Sequence, residues 1–418
     1  MFNRIFIKHC LSLVTFFFSV ALPTQLAAEQ SPYTREISFE QLRAHAFANS
    51  PVVASLQADL AETLGQAREN SLMQNPEFEA EVLFPKSYPD ERGGSEYTIS
   101  LSQPLRLSDF GDREALRDLS EKAATQKQKA SLLEFSQTFF LQYVRLWASK
   151  ERKKFISSMQ EVAKEKKRLV QRARQKGVLG KSEVKLFQAA AARLKTVSLG
   201  LEADVAQAEA ELSRLTAFDV RNVDLKRPKN LPLPSLEEAE KTSKQNPLGI
   251  ASRLELLEQI AQKQGLLAKQ DSIPGFTPKI LYEHTDDQEN FLGVGVSVEL
   301  PFFNGNEDEI ARSKTRERGL RLRRQYLQGD VFTSQLEGVR RRAVISTRQA
   351  ESYEQNVLPL FREALSAAEN QFNAGQGSVL QLWQAFKELD SANEELLELW
   401  VRTFEARSEL VLLLGEEL

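Results

Sequence analysis

Apolar residues recur at a spacing of seven over much of the chain, which predicts long helices that pack along a seam. Each half carries one such stretch of about 60 to 70 residues, or roughly 100 Å of helix. A helix of this length needs partners along its whole length. The rows are Leu116, Ala123, Ala130 and Val144 with Leu119, Leu133, Phe140 and Trp147, then Leu336, Ala343, Ala350, Val357 and Ala364 with Val339, Ser346, Tyr353, Leu360 and Ala367.

Proline interrupts this pattern in the second half. Pro359 lies within the second predicted rod. Because proline has no backbone N–H and its ring clashes with the preceding turn, we expect a kink or a break there.

Each half also contains one stretch whose period changes to two, which predicts a β-hairpin at about 77–103 and another at about 278–300. One face of these strands is apolar, and the other carries carboxylates, hydroxyls and glycines. The alternation fits a barrel with lipid outside and water inside, and it fits equally well two hairpins that bury their apolar face on soluble helices. The residues predicted to face a barrel lumen are Glu77, Glu79, Glu81, Ser297 and Glu299.

Landmarks in the first half recur in the second at an offset of about 197 residues, which predicts a tandem duplication. Pro51 corresponds to Pro247, Pro104 to Pro301, and Gly177 to Gly375. We therefore predict a first repeat at 29–230 and a second at 231–418. Each has a helix, a strand hairpin and a long helical hairpin, with tips near 177 and 375.

The N-terminal segment, 1–28, has the layout of a secretory signal peptide. Arg4 and Lys8 precede an apolar run at 11–18, and Leu26-Ala27-Ala28 forms a small-residue cleavage site. The only cysteine, Cys10, lies inside this segment. We expect an exported mature chain with no disulfide and no thiolate metal site.

Composition argues against catalysis and against nucleic-acid binding. The formal charge of −3 becomes more negative when Arg4 and Lys8 are removed, so no general basic surface remains. His45 and His284 lie in unrelated contexts. We expect no enzyme activity, no cofactor and no metal site. No later segment approaches 18 consecutive apolar residues, which leaves a soluble periplasmic protein or a β-type outer-membrane protein.

A membrane barrel would require several copies of the chain. Four strands cannot close a barrel, because closure takes about eight or more and lipid does not tolerate an open edge. Three copies would give a trimeric 12-stranded barrel, with the helices continuing as a tube from one rim. The geometry alone also permits other copy numbers.

Several motifs together resemble the TolC-like outer-membrane efflux protein family. The resemblance covers about Ile37 to Leu414. It implies a mainly α fold with a small β part: a homotrimeric 12-stranded β-barrel in outer-membrane lipid, continued by an α-helical barrel through the periplasm. The motifs are Phe39–Leu42, Asn49–Pro51, Leu72–Pro76, Ile99–Pro104, Val294–Asn304 and Phe372–Gly375.

The resemblance also implies partners and working residues. Such proteins are exit ducts joined by a periplasmic adaptor, or membrane fusion protein, to an inner-membrane pump. Leu300–Phe303 and Val357–Leu360 are similar to the branch that serves resistance-nodulation-division pumps, including heavy-metal exporters. The implied adaptor-contacting tips are Gly177, Val178, Leu179, Gly180, Ser182, Gly375, Gly377 and Ser378. Some family members narrow the pore with an aspartate ring just past the second tip, where this chain departs from the pattern with Gln381 and Gln384. The predicted tip pore lining or gate is therefore Gln381 and Gln384, with Glu183 as the substitute charged residue.

A different class of function remains open at this stage. The chain could be a soluble periplasmic coiled-coil scaffold or adaptor, with the hairpins as a small domain. An adaptor normally has one helical hairpin inserted among other domains. Two hairpins with a carboxylate-bearing face at a fixed offset favour the duct.

Overall fold

The described part of the chain is mostly helical, with two long helical hairpins, several shorter helices, one four-stranded sheet and one two-stranded sheet. The computed structural model describes residues 35–84, 95–105, 111–177, 179–285, 287, 289–298 and 305–418. The predicted signal peptide lies outside these residues. The helices are α1 (Phe39–Asn49), α2 (Pro51–Glu69), α3 (Asp112–Gln175), α4 (Lys181–Thr216), α5 (Leu236–Gln245), α6 (Ile250–Gln270), α7 (Glu307–Gln328), α8 (Asp330–Ser352), α9 (Leu358–Asn373) and α10 (Val379–Leu414). The strands are β1 (Arg35–Ile37), β2 (Glu77–Leu83), β3 (Glu96–Ser102), β4 (Val223–Leu225), β5 (Phe276–His284) and β6 (Asn290–Val298).

Serine residues define the starts of several helices. The Ser38 hydroxyl accepts a hydrogen bond from the Gln41 N–H at 3.3 Å, and the Gln41 side chain accepts from the Ser38 N–H at 3.1 Å. Ser50 caps α2, and Pro51 follows at a position that needs no backbone donor. These caps satisfy N–H groups that have no partner within the helix.

The first predicted rod is confirmed as one continuous helix. The helix α3 has 64 residues and returns as the 36-residue α4. Its predicted seam is buried where the hairpin packs, at Ala130, Leu133, Phe140 and Val144.

The second predicted rod is not one continuous α-helix, and its interruption at Gly329 was not predicted. Gly329 ends α7 with an extended conformation and begins α8. Residues Tyr353–Val357 then form a π-helix, and Pro359 lies in the first turn of α9. The expected break is therefore not seen at Pro359, where the helical run continues from 330 to 373, and the irregularity beside the proline is a π-helical insertion immediately before it.

The π-helix also explains why the predicted heptad rows fail beyond Ala350. A π-helical turn contains an additional residue, which moves the following residues around the helix axis. The buried row continues at Leu358, Leu365 and Phe372. Leu360, which the unshifted pattern placed in the seam, is 64% exposed.

The helices form two groups of neighbours that share α3. In one group α2 packs on α3, α3 on α6, and α6 on α7. In the other, α4 packs on α3, α3 on α10, and α10 on α8 and α9. The first group is connected directly to the sheet strands, and the second ends at the two interhelical turns.

An aromatic cluster joins α1 to α3 and α10. The Phe39 ring lies 5.2 Å from that of Phe139 and 5.0 Å from that of Phe140. Phe140 in turn contacts Phe404 at 5.9 Å. The buried Tyr143 hydroxyl donates a hydrogen bond to the Lys226 carbonyl oxygen at 2.7 Å, so this buried polar group has a partner. Burial raises the pKa of Tyr143.

Cationic side chains hold the segment 217–235, which connects the two halves, against the helices. The Lys150 ammonium donates to the carbonyl oxygens of Val220 at 3.1 Å and Val223 at 2.7 Å. It also pairs with Glu209 at 2.8 Å. Further contacts of this kind include Arg227 with Glu354, Arg340 with the Pro234 carbonyl, and Arg407 with the Leu231 carbonyl.

A partly buried charge cluster links α3 to α10. The Arg152 guanidinium lies 2.9 Å from Glu394 and 3.5 Å from Asp390. The second distance is longer than a charge-assisted hydrogen bond. Burial raises the pKa of Asp390 above its ordinary value of 3.8, against the opposing charges of Arg152 and Arg193.

We expect Asp390→Asn to stabilise the protein slightly at neutral pH, by about 1 kcal/mol or less. Because the folded chain binds this proton more tightly than the unfolded chain, the carboxyl's contribution to stability falls as pH rises from 3.8 through the raised pKa. Asp390→Asn removes that dependence. Thermal unfolding between pH 4 and pH 7 measures it, with Glu394→Gln as the control that loses the shorter ion pair. A clear loss of stability in Asp390→Asn at pH 7 would contradict this account.

Candidate functional site

The four longer strands form one antiparallel sheet in the order β2-β3-β5-β6. The predicted hairpins at about 77–103 and 278–300 occur as 77–102 and 276–298. β3 pairs with β5, with Ile99 opposite Tyr282 and Leu101 opposite Ile280. One hairpin from each half thus contributes to a single sheet.

The apolar face of this sheet is uncovered. Val294 is 87% exposed, Leu292 80% and Phe78 69%. Ile280, which pairs with Val294, is also exposed. The structure therefore contradicts the alternative in which the hairpins bury their apolar face on helices. An apolar surface of this kind marks a contact with another chain or with lipid.

The opposite face carries the predicted lumen residues. Glu77, Glu79 and Glu81 lie side by side on β2 and are exposed, as is Ser297 on β6. The Glu79 carboxylate accepts from Lys279 at 3.0 Å and from the Ser100 hydroxyl at 3.4 Å. The sequence analysis missed Lys279, although its place among alternating residues of β5 gave the signal. Glu299 lies outside the described residues.

The two edge strands of the sheet are connected to the two outermost helices of the neighbouring group. β2 and β6 are the edge strands, and α2 and α7 are the outer helices of the group connected to the sheet. α2 precedes β2 and α7 follows β6. Within the described residues, nothing pairs with the outer edge of either strand. An exposed edge offers unpaired N–H and C=O groups to another strand.

The first tip is the turn between α3 and α4. Gly177 has φ of +75°, a left-handed conformation that glycine adopts without strain. Leu179 packs against the main core, and its N–H lies 3.4 Å from the Ala173 carbonyl oxygen. Gly180 begins α4, and Ser182 is exposed. Val178 lies outside the described residues.

The second tip, between α9 and α10, is built in the same way. Gly375 has φ of +74°. The N–H groups of Gln376 and Gly377 both donate to the Gln371 carbonyl at 3.0 Å, which closes the end of α9. Ser378 caps α10. Both tips therefore reverse a long helix with one left-handed glycine and a helix start a few residues later.

Two of the three predicted gate residues act as helix caps in this structure. The Gly180 N–H donates to the Glu183 carboxylate at 2.9 Å, and the Ser378 N–H donates to the Gln381 side chain at 3.0 Å. Gln384 lies one turn further along α10 and is exposed. The predicted gate stays a prediction, and these contacts show that two of its members hold the helix starts.

The two tips lie at the same end of the helices. Val379 and Leu382 of α10 line a small cavity together with Phe187 and Ala190 of α4. At the outside, the Lys166 ammonium donates to the Asn373 side chain at 3.1 Å. The predicted contact residues of both tips thus belong to one end surface.

We expect Gly377→Ala to destabilise the second tip by about 1–3 kcal/mol, because an added Cβ would lie 3.0 Å from the Phe372 backbone nitrogen. The matched control in the first tip is Gly180→Ala, where the nearest atoms are side-chain atoms at 3.7 Å. Thermal unfolding followed by circular dichroism, with limited proteolysis at 371–379, measures the effect. Equal behaviour of the two variants would contradict the predicted close approach.

Both histidines of the described residues make local contacts. In the part of the chain that the structure describes, no group of three or more His, Cys, Asp or Glu side chains could hold a metal ion. His45 lies 3.2 Å from the Thr216 carbonyl oxygen, and His284 lies 2.8 Å from Asn290 and stacks on Tyr97. Among these same residues, no helix is long and apolar enough to cross a membrane.

A sheet with one uncovered apolar face, joined to long helical hairpins with two equivalent tips, defines a class of fold found in outer-membrane channels. The chain is similar to the outer membrane protein VceC of Vibrio cholerae, with 16% identity over 90% of this chain and 96% of that one and a TM-score of 0.69. It is similar to the CmeC outer membrane channel of Campylobacter jejuni, at 15% identity over 90% and 85% with a TM-score of 0.71. It is also similar to the MtrE outer membrane channel of Neisseria gonorrhoeae, at 16% over 90% and 88% with a TM-score of 0.68.

These similarities confirm the fold that the TolC-like resemblance implied: mostly helical, with a small sheet. No family model and no curated protein matches the sequence. At such low sequence identity, the shared fold is what the comparison establishes.

Proposed function

We propose that this protein is the outer-membrane exit duct of a tripartite efflux system. Three copies form a 12-stranded barrel in the outer membrane and continue it as a helical tube through the periplasm. The duct is passive and catalyses no reaction. A periplasmic adaptor docks at the tips, and an inner-membrane pump, of the resistance-nodulation-division type by the resemblance, supplies the substrate.

The exposed apolar face of the sheet is the observation that carries this proposal. Burying an apolar residue is worth about 25 cal/mol per Å², so a soluble domain would not leave Leu292 and Val294 in water. Contact with lipid on that face avoids the free-energy cost of exposing apolar residues to water. Pairing β6 of one copy with β2 of the next satisfies the open edges. The similarity in fold to outer-membrane channels supports a place in the outer membrane.

The two tips support the adaptor contact. The turns at Gly177 and Gly375 lie at the same end of the helices. The end surface combines exposed Ser182 with half-buried Leu179 and Ser378. In an assembled tube this end would face away from the barrel, toward the inner-membrane pump and its adaptor.

Location and native mass test the proposal directly. The outer-membrane fraction is washed at high pH, and the mass of the purified protein is measured in detergent after correction for bound detergent. An integral protein with three chain masses is the expected result. A monomer or dimer released by the wash would contradict the duct and favour the periplasmic scaffold.

A further inference from the structure

One side of α7 is exposed and carries small and apolar residues between two rows of basic residues. Its opposite side, with Ser313 and Leu327, is buried. At 100° per residue, the uncovered side carries small and apolar residues, of which Leu322 is 57% exposed and Tyr326 48%. Ala311 and Thr315 belong to the same side and are exposed.

Basic residues flank this side in two rows. Lys314, Arg318 and Arg321 lie along one flank, and Arg312, Arg316 and Arg323 along the other. Arg312 and Arg321 pair with glutamates of the same helix. Among the described residues, Lys314, Arg316, Arg318 and Arg323 have no ion-pair partner. We call the uncovered side with its two flanks the α7 cationic stripe.

The uncovered side of α2 has the complementary charge. Val53 and Ala67 mark its buried side. Opposite them lie Ala58, Glu62, Gly65 and Glu69, all exposed, with Asp59 at the flank. Within the described residues, Asp59, Glu62 and Glu69 have no cationic partner. We call this side the α2 acidic stripe.

The order of the elements brings these two stripes together when copies assemble. α2 runs toward its strand β2, and α7 runs away from its strand β6. If β6 of one copy pairs with β2 of the next, the two helices meet antiparallel. Glu62 lies about two turns before the end of α2, and Arg316 lies about two and a half turns after the start of α7. The two residues are therefore at similar distances from the sheet.

The same chain already contains a junction of this kind. α3 runs away from the sheet, α6 runs toward it, and the two helices pack together. Lys263 of α6 donates to Asp112 of α3 at 2.8 Å. A cation and a carboxylate on neighbouring antiparallel helices therefore join the two halves within one copy.

We propose that the α7 cationic stripe of one copy docks on the α2 acidic stripe of the next copy. Small residues on both helices allow close approach, and the charges fix the register and the choice of partner. The inference rests on the proposed trimeric duct and names the chemistry of its subunit contact. The partner is a second copy of this chain.

Charge exchange tests the contact. Asp59→Arg with Glu62→Arg, and separately Arg316→Glu with Arg318→Glu, should each weaken the trimer on the order of tenfold or more in detergent, measured as mass against dilution. Combining all four changes should restore most of the stability of the trimer. Glu237→Arg, an equal charge change at an exposed residue of α5, is the control and should leave the trimer unchanged.

Cysteine pairs provide a second readout that does not depend on charge. Ala58→Cys with Leu322→Cys, and Gly65→Cys with Thr315→Cys, should give disulfide-linked bands of two and three chains, and the single variants should not. A wild-type trimer without rescue and without cross-links would overturn this contact and leave the duct standing. A wild-type monomer released from the membrane would overturn the duct as well.

Discussion

Val294→Arg is expected to prevent stable assembly of the protein in the outer membrane. Val294 lies at the middle of β6, opposite Ile280, and its side chain is 87% exposed on the apolar face. In the proposed barrel this face contacts the hydrocarbon core. An arginine near the bilayer midplane costs about 2–4 kcal/mol in each chain, and the trimer contains three chains.

A charge on the opposite face provides the control. Thr98 lies on the polar face of β3, between Glu81 of β2 and Glu283 of β5. Thr98→Arg should therefore be tolerated or weakly stabilising, because it places a cation between two carboxylates. The measurement is the amount of trimer that resists a high-pH wash of the outer membrane. If both variants assemble equally well, the apolar face does not contact lipid.

Arg407→Ala is expected to destabilise the helical part by about 3 kcal/mol. Arg407 lies in α10, is only 6% exposed, and donates to the Thr347 hydroxyl at 2.9 Å and to the Leu231 carbonyl. Burial lowers its pKa. Alanine removes the packing of the long side chain and leaves the Leu231 carbonyl without its donor.

Two further variants separate packing from hydrogen bonding at this site. Arg407→Met keeps most of the volume and avoids burying a charge, so its loss should be about 1–2 kcal/mol. Arg402→Ala, on the same helix, removes an exposed ion pair with Glu398 and should cost about 0.5 kcal/mol or less. Thermal unfolding gives the global effect. Proteolysis within 226–234 should increase only in the Arg407 variants, and its absence would show that Arg407 does not hold this segment.

The tips illustrate what could and could not be predicted about the candidate site. The family resemblance placed Gly177 and Gly375 at the turns, where a flexible glycine fits the reversal of a rod, and the structure has both at positive φ. The use of Glu183 and Gln381 as caps was not predicted. The sequence pattern S-x-x-Q at Ser378 is the signal that could have found the second of them.

Local periodicity determined the elements of this protein. A spacing of seven specified the rods, and a spacing of two specified the hairpins, because each depends on residues close together in the chain. The same information placed Glu77, Glu79 and Glu81 on one face. An irregularity near Pro359 was also expected from local chemistry, and the structure has a π-helix immediately before that residue.

Only the tertiary structure decided how these elements meet. The pairing of β3 with β5 and the contacts of the cations around segment 217–235 depend on residues distant in sequence. The π-helix that moves the buried row to Leu358 is likewise absent from the unshifted heptad pattern. The exposure of the apolar face was decided there too, since alternation alone fits a face on lipid and a face on helices equally well. The physical reason is that periodicity defines which side of an element is apolar, and long-range packing defines what covers that side.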